Sequence, residues 1–365
     1  HLSEQERNLA AMQIEGLLGT FKDAREYGSI LNVDECDWEL LEKFVNDLAA
    51  DGQISFESFG SDETQEQLRK LVRVARNLGQ KYNVVVTNPP YLGNSRFSPI
   101  LDKYVKDNYS DVKTDLSMVM FKHALKDLCN IYGYVSFITT TSWMSLSSFE
   151  KLRSYVLNEY DFISLVDFGT ELFEGKVGHN PIVAWVNRKS NIGHAMTGVR
   201  LVEYCYSRRD EKEKEYFKKK NYHYPKQSYF SKIPGFPIVY SVSKTFFEAF
   251  DKGKLIGSFS TVSEGVKTGN NEKYLRLWYE IDKREFSFAT KKYSKWVPHH
   301  KGGEYRKWYG NRDWVVFWEN DGEEIKTSSN SGLQGKSMYF KKFASWSKIS
   351  SKGNPLRYFG GNCLF

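Results

Sequence analysis

Val84-Val85-Val86-Thr87-Asn88-Pro89-Pro90-Tyr91 decides the fold. The apolar residues over Asn83–Thr87 read as a short buried strand, and the two prolines end it. Proline donates no N–H and restricts the residue before it, so the ladder stops and the chain leaves the sheet in a rigid turn. That turn presents the Asn88 amide, the Pro89 carbonyl and the Tyr91 ring at the carboxyl end of a strand, where open α/β sheets place their ligands. Two acceptors and one aromatic face suit a planar group bearing an exocyclic amine. The plainer alternative is a strand-ending Pro-Pro turn with a packed tyrosine.

Working outward, residues 3–19 read as a helix with Ser3 as cap and Glu6 three residues later. Asp37 caps a second helix through Leu48, and Asp62 opens a third to about Gly79. After the Pro-Pro turn, Thr114 or Asp115 caps a helix through Leu128, with Leu116, Val119, Met120, Ala124 and Leu128 at helical spacing. A cap explains Asp115 better than a chemical role does. Tyr134–Thr139 is a second buried strand, followed by the turn Thr140-Thr141-Ser142-Trp143 and a helix from Ser148 to Leu157. Phe162–Phe168 and Pro181–Val186 complete four strands. Their alternation with helices predicts a doubly wound sheet whose ligand edge is lined by Tyr91, Trp143 and Phe173. The sheet is expected to end near Arg188.

The 365 residues have room for two domains, and 40% hydrophobic residues can bury sizeable cores. No apolar run approaches the ~20 residues of a membrane span, and His1 to Arg7 carry no signal-peptide pattern. Cys36, Cys129, Cys205 and Cys363 are far apart, which argues against a metal site or disulfide frame and makes a reducing cytoplasm the default. The net charge of +7 hides a division. Residues 188–365 hold 34 Lys+Arg against 18 Asp+Glu, a balance of +16; the totals of 52 and 45 leave 18 and 27 for residues 1–187, a balance of −9. A basic half beside an acidic one points to a polyanionic partner.

Asn-Pro-Pro-Tyr resembles motif IV of amino-group S-adenosylmethionine-dependent methyltransferases, as found in adenine-specific DNA enzymes. The resemblance implies that Asn88 and the Pro89 carbonyl accept hydrogen bonds from the adenine N6 amine. It also implies that Tyr91 stacks on the base after it is flipped out of the duplex. The strands resemble the fourth to seventh of the methyltransferase fold, and Phe173 in Leu172-Phe173-Glu174-Gly175 then stands where a second aromatic sandwiches the base. A core phenylalanine at a strand end is an equal alternative for Phe173. Release-factor glutamine methyltransferases share the tetrapeptide, so the motif alone does not fix the substrate.

After Arg188 a linker rich in Asn, Gly and Lys leads to the charged run Arg208–Lys220, read as a solvated helix. From about Lys226 short strands and turns dense in Trp, Tyr, Lys and Gly take over. The expected organisation is therefore a partial catalytic domain over 1–188, a charged linker over 189–225 and an α+β target-recognition domain over 226–365. In Gly265-Val266-Lys267-Thr268-Gly269-Asn270-Asn271, the glycines allow close backbone approach, with Lys267, Thr268 and Asn270 as candidate phosphate contacts. In Lys301-Gly302-Gly303-Glu304-Tyr305-Arg306-Lys307-Trp308-Tyr309-Gly310-Asn311, the cations Lys301, Arg306 and Lys307 among aromatics suit a nucleic-acid backbone with unstacked bases. Either stretch could instead be a surface hairpin. Together with Lys113-Thr114-Asp115-Leu116, Leu275-Arg276 and Trp318-Glu319-Asn320-Asp321-Gly322, they are similar to the PglX methyltransferases of BREX phage-defence systems. That resemblance implies S-adenosylmethionine as cofactor, double-stranded DNA as partner, and a role alongside other defence-system subunits.

One part of the family pattern is missing. The glycines before Asn88 (Gly16, Gly19, Gly28, Gly52, Gly60 and Gly79) form no strand–Gly-x-Gly–helix unit to hold the methyl donor. Residues 1–82 read as helices where the fold needs three strands. A fragment of a longer polypeptide is the simplest expectation. Its sheet would have an exposed central edge, and alone it would neither bind the donor well nor turn over. The leading expectation is an adenine-N6 DNA methyltransferase lacking its donor-binding front end, working by positioning and electrostatics without a metal. The alternatives are a non-catalytic DNA-binding subunit and a protein-glutamine methyltransferase, and the long basic module argues against the latter.

Overall fold

The computed structural model describes residues 2–50, 61–170, 172, 181–188, 194–204, 208–286, 294–347, 353 and 355–365. They form two compact units, His1–Gly253 and Lys254–Phe365.

The first unit opens with α1 (Glu4–Thr20), whose predicted capping box forms: the Glu6 N–H donates to Ser3 Oγ at 3.3 Å and the Ser3 N–H to Glu6 Oε2 at 2.8 Å. A short α2 (Ala24–Tyr27) follows, then α3 (Trp38–Ala50), capped by Asp37 accepting from the Leu40 N–H at 3.0 Å, and α4 (Ser61–Gly79). Ala10, Ile14 and Leu17 of α1 pack with Leu41 and Val45 of α3 and Val72 and Ala75 of α4. These helices have a core of their own.

Next comes β1 (Tyr82–Thr87), then α5 (Pro99–Asn108) and α6 (Leu116–His123). The predicted helix to Leu128 holds α-geometry only to His123; Ala124–Leu128 is a π-turn. After it run β2 (Cys129–Thr140), α7 (Glu150–Glu159), β3 (Tyr160–Asp167) and β4 (Pro181–Arg188). The sheet does not stop there. The strand β5 (Thr197–Arg200) pairs parallel with β3, and after α8 (Glu211–Tyr216) the short β6 (Tyr222–His223) pairs with β5. The strand order is β1-β2-β4-β3-β5-β6. Thus the expected boundary at 188 and the linker 189–225 are corrected. Described parts of that linker are sheet, and the compact unit runs through α9 (Lys244–Lys252) to Gly253. The 208–220 run does hold a helix, α8, and is exposed at most positions, but it is not solvated throughout. Its Lys212 and Glu215 are buried, and Tyr204 donates to Glu215 at 2.7 Å.

The sheet is mixed. Strand β1 runs parallel to β2 with Val84 opposite Tyr134 and Thr87 opposite Phe137, whereas β4 lies antiparallel between β2 and β3. Hydrophobic alternation sets which face a side chain takes, not the direction of a strand. One face is covered by α5, α6, α7 and residues 230–247 through Val105, Phe121, Phe137, Leu152, Phe162 and Phe230. On the opposite face at the β1–β2 end, Val84, Val86 and Tyr134 are exposed (52%, 61% and 41%). Among the described strands β1 pairs with β2 alone, so its outer edge is open, as the sequence led us to expect.

The second unit is built from β7 (Val266–Lys267), α10 (Asn271–Tyr274), β8 (Leu275–Leu277), β9 (Trp296–His299), β10 (Trp314–Phe317), α11 (Glu319–Thr327), β11 (Gly332–Leu333), β12 (Phe343–Ser345) and β13 (Arg357–Phe359). Its core gathers Tyr274, Leu275, Val297, Val316, Trp318, Ile325 and Leu364 around the antiparallel sheet β8-β10-β9. Residues 320–322 are left-handed, and Gly322 fits there because a Cβ would meet the Trp318 ring at 2.7 Å.

Candidate active site and nucleic-acid interface

The Asn-Pro-Pro-Tyr turn leaves the carboxyl end of β1 with Asn88 exposed, Pro89 buried, Pro90 exposed and Tyr91 half-buried. It is clamped to the start of α6. Gly93 and Asp115 form an antiparallel bridge, the Leu116 N–H donates to the Leu92 carbonyl at 2.9 Å, and the Asn94 N–H to the Thr114 carbonyl at 3.1 Å. Asp115 is the helix cap, as expected, accepting from the Ser117 N–H at 2.8 Å and the Ser117 hydroxyl at 2.6 Å. The segment Lys113-Thr114-Asp115-Leu116 thus fixes the turn on the sheet.

Within the turn the Tyr91 hydroxyl donates to Asn88 Oδ1 at 3.0 Å. Burial, and then the nearby Asp115 carboxylate, push the Tyr91 phenol above its ordinary pKa, so it remains a neutral donor. Among the described residues no hydrogen bond to the Pro89 carbonyl occurs. The turn therefore carries one engaged acceptor and one acceptor that no described residue engages, beside an aromatic ring.

The other expected edge residues fare differently. Phe173 lies outside the described residues. Trp143 does not line the edge. It is 1% exposed, tilted against Phe121 and stacked on Phe162 in the core, with its Nε1 donating to Thr139 Oγ1 at 3.0 Å. Core filling explains it, since an indole that far inside must satisfy its N–H locally.

No described residue upstream of Asn88 builds a donor cradle. Gly16 and Gly19 lie inside α1, and Gly79 packs where a Cβ would stand 3.2 Å from the Trp38 ring, ahead of the first strand. Gly52 and Gly60 lie outside the described residues. These residues do not fit an S-adenosylmethionine site.

In the second unit the two basic stretches part ways. The glycines of the 265–271 turn serve the chain's own packing: a Cβ at Gly265 would overlap the Phe365 carbonyl, and one at Gly269 (φ +70°) would meet the Ser329 carbonyl at 2.8 Å. Thr268 is buried with its hydroxyl on Asn271 Oδ1 at 2.6 Å, which removes it as a surface contact. Asn270 caps α10 through the Lys273 N–H at 3.0 Å, while Lys267 stays exposed.

The 301–311 stretch is an outward loop. Lys301 lies 4.6 Å from the Trp314 ring centre, Lys307 4.8 Å from that of Trp308, and Arg312 4.3 Å from that of Tyr309. Among the described residues, none of Lys301, Arg306, Lys307 or Arg312 forms an ion pair with a carboxylate. Two residues under this loop escaped sequence reasoning. Arg357 is 1% exposed and donates to the Arg306 carbonyl at 3.1 Å and to Ser347 Oγ at 3.2 Å. His300 sits against it at 3.3 Å. The signal was the alternation in β13, where Arg357 shares the inward face with buried Phe359.

Residues 8–173 match the family model described as Eco57I restriction-modification methylase, a span that takes in β1, the Asn-Pro-Pro-Tyr turn, β2 and β3. Similarity to particular proteins runs through nearly the whole chain. It is 32% identical over 356 residues to adenine-specific methyltransferase BrxX of Escherichia coli O9:H4 (strain HS), covering 95% of this chain and 28% of that protein. It is 33% identical over 374 residues to adenine-specific methyltransferase PglX of Lacticaseibacillus casei (strain Zhang), covering 96% of this chain and 30% of that protein. The chain thus spans under a third of the length of these relatives. Likeness to solved structures is looser: a DrdV–DNA complex matches 59% of this chain and 25% of that chain at TM-score 0.38 and 15% identity. Among the described residues no helix is long and apolar enough to cross a membrane.

Proposed function

We propose that this chain is the target-base half of a site-specific DNA adenine-N6 methyltransferase that uses S-adenosylmethionine in phage defence. The observation that carries the reading is the clamped Asn-Pro-Pro-Tyr turn, whose Pro89 carbonyl no described residue engages. A flipped adenine offers two N6 hydrogens, which Asn88 Oδ1 and the Pro89 carbonyl would accept while Tyr91 stacks on the ring. The Tyr91 hydroxyl now on Asn88 Oδ1 would be displaced as the amine arrives. Two hydrogen bonds to the amine orient its nitrogen lone pair and stabilise positive charge developing there. The S-adenosylmethionine cradle would come from polypeptide other than the described residues. Lys301, Arg306, Lys307 and Lys267 would hold duplex phosphates, with Phe173 as a second stacking candidate.

The test is methyl transfer by the full-length polypeptide onto duplex DNA and onto a glutamine-bearing peptide. Transfer to adenine N6, lost in Asn88→Ala, supports the reading; transfer to the peptide alone would sink it. A second reading, a DNA-binding subunit without catalysis, is favoured by the missing glycine turn. It would show as duplex binding with no methylation by the full-length polypeptide.

A further inference from the structure

Trp308 combines three features that packing alone does not explain. Its φ is +72°, a region that bulky residues rarely occupy. Its backbone is fixed on both sides: the Trp308 N–H donates to the Leu356 carbonyl at 2.8 Å, and its own carbonyl accepts from the Tyr358 N–H at 3.1 Å. Yet its indole is 68% exposed, beside Tyr309, also 68% exposed.

The support beneath the loop is polar and buried. Arg357 holds the Arg306 carbonyl, and Asn311, itself at φ +54°, donates its side-chain amide to the Glu304 carbonyl at 3.2 Å. A loop braced in this way holds Trp308 in a left-handed conformation while leaving its largest apolar group in water. Strain of that kind gathers at ligand clamps.

Charge decides what the ring meets. Lys307 stands over the indole and Arg312 over the Tyr309 ring, and neither cation has a carboxylate partner among the described residues. The 254–365 unit carries 20 Lys+Arg against 11 Asp+Glu. Aromatic rings among unpaired cations match a polyanion with exposed aromatic faces, which is a nucleic acid and not an acidic protein surface.

We propose that Trp308 is an aromatic wedge that stacks on or between bases of bound duplex DNA, with Lys307 and Arg312 on the flanking phosphates. The proposal rests on the DNA reading above and adds a residue that acts on the base stack. Wedges of this kind pry a base step open, and an opened step makes extruding a nucleotide less costly.

The experiment uses the 365-residue chain and a fluorescein-labelled duplex, intact or with a central abasic site, in an anisotropy titration over several salt concentrations. Glycine adopts φ +72° without strain, so Trp308→Gly should keep or raise the melting temperature. It should weaken binding to the intact duplex roughly 5- to 100-fold with the salt slope unchanged, because the cations remain. The loss should shrink on the abasic duplex, and Trp308→Phe should restore most of the affinity. Equal binding by wild type and Trp308→Gly overturns the wedge and leaves the DNA reading intact. A fall in melting temperature together with equal losses on both duplexes also overturns it, assigning Trp308 to loop support. No duplex binding by wild type removes the DNA reading itself, and the wedge with it.

Discussion

The hydroxyl of Tyr91 occupies the Asn88 acceptor that, in the proposed function, an incoming amine would take, so that proposal gives ring and hydroxyl separable roles. In the full-length polypeptide, Tyr91→Phe should retain methylation, since the stacking face survives and the competing donor is gone. Tyr91→Ala should lose about 10- to 100-fold, the worth of one base–aromatic stack. On the same proposal Asn88→Ala would remove a hydrogen bond that strengthens as charge develops and should cost roughly 10²–10³-fold in rate with duplex binding kept. Single-turnover methylation of a duplex oligonucleotide measures all three, and retained methylation in Asn88→Ala would contradict its assigned part. The tetrapeptide was legible because its members are adjacent and its prolines force the strand to end. Trp143 was misread because nearness in sequence to the turn says nothing about burial; its ring points into the Phe121–Phe162 core. Arg357 was missed because basic residues suggest surface until the alternation in β13 is counted.

Strand β9 and the loop that follows it join the phosphate candidates to two buried imidazoles. Burial, with neighbouring cations adding to it, pushes His299 down to about 3 and His300 down to about 4, so both are neutral in the folded unit. The folded values lie below the ordinary value of 6.5, so protons bind preferentially to the unfolded chain at lower pH. Stability contributed by the neutral rings is complete above about pH 6.5 and is lost as pH falls from there toward 4, by up to about 1.4 kcal/mol per pH unit for each histidine. Thermal melts between neutral and mildly acidic pH should show this decline, shallower in His300→Gln; a flat profile would disprove it. Along the loop itself, neutralising Lys301, Arg306 and Lys307 together should weaken duplex binding. The slope of log K against log salt should become shallower by about 0.9 for each phosphate no longer neutralised. Replacing Lys267 should act similarly, whereas Thr268→Val should leave binding unchanged because that hydroxyl is internal. The capped starts of helices were readable to within two residues, as Ser3, Asp37 and Asp115 show. The direction of β4 was not, because it depends on pairing between distant segments, and the π-turn after His123 was not, because Ala124 and Leu128 keep helical spacing in the sequence.

The division of charge was visible in composition, but the division of structure was not. The net basic stretch begins near 188, while the compact unit continues to Gly253, because β5 and β6 finish a sheet whose short strands carry little periodic signal. With no donor cradle among the described residues, the 365-residue chain by itself should show no methyl transfer and no stoichiometric S-adenosylmethionine binding in calorimetry. Saturable one-to-one binding would overturn that expectation. The open edge of β1 has a further consequence for anyone who makes this chain. Unpaired among the described strands, its outer N–H and C=O groups beside Val84 and Val86 are a template for the same strand in a second copy. Soluble yield is then a matter of quality control: the edge is a client for holding chaperones, and heat or high concentration should drive the chain into inclusion bodies while its fold is still intact. A charged gatekeeper such as Val86→Lys should raise recovery of the isolated chain and, in the full-length polypeptide, damage the enzyme if that strand is covered there.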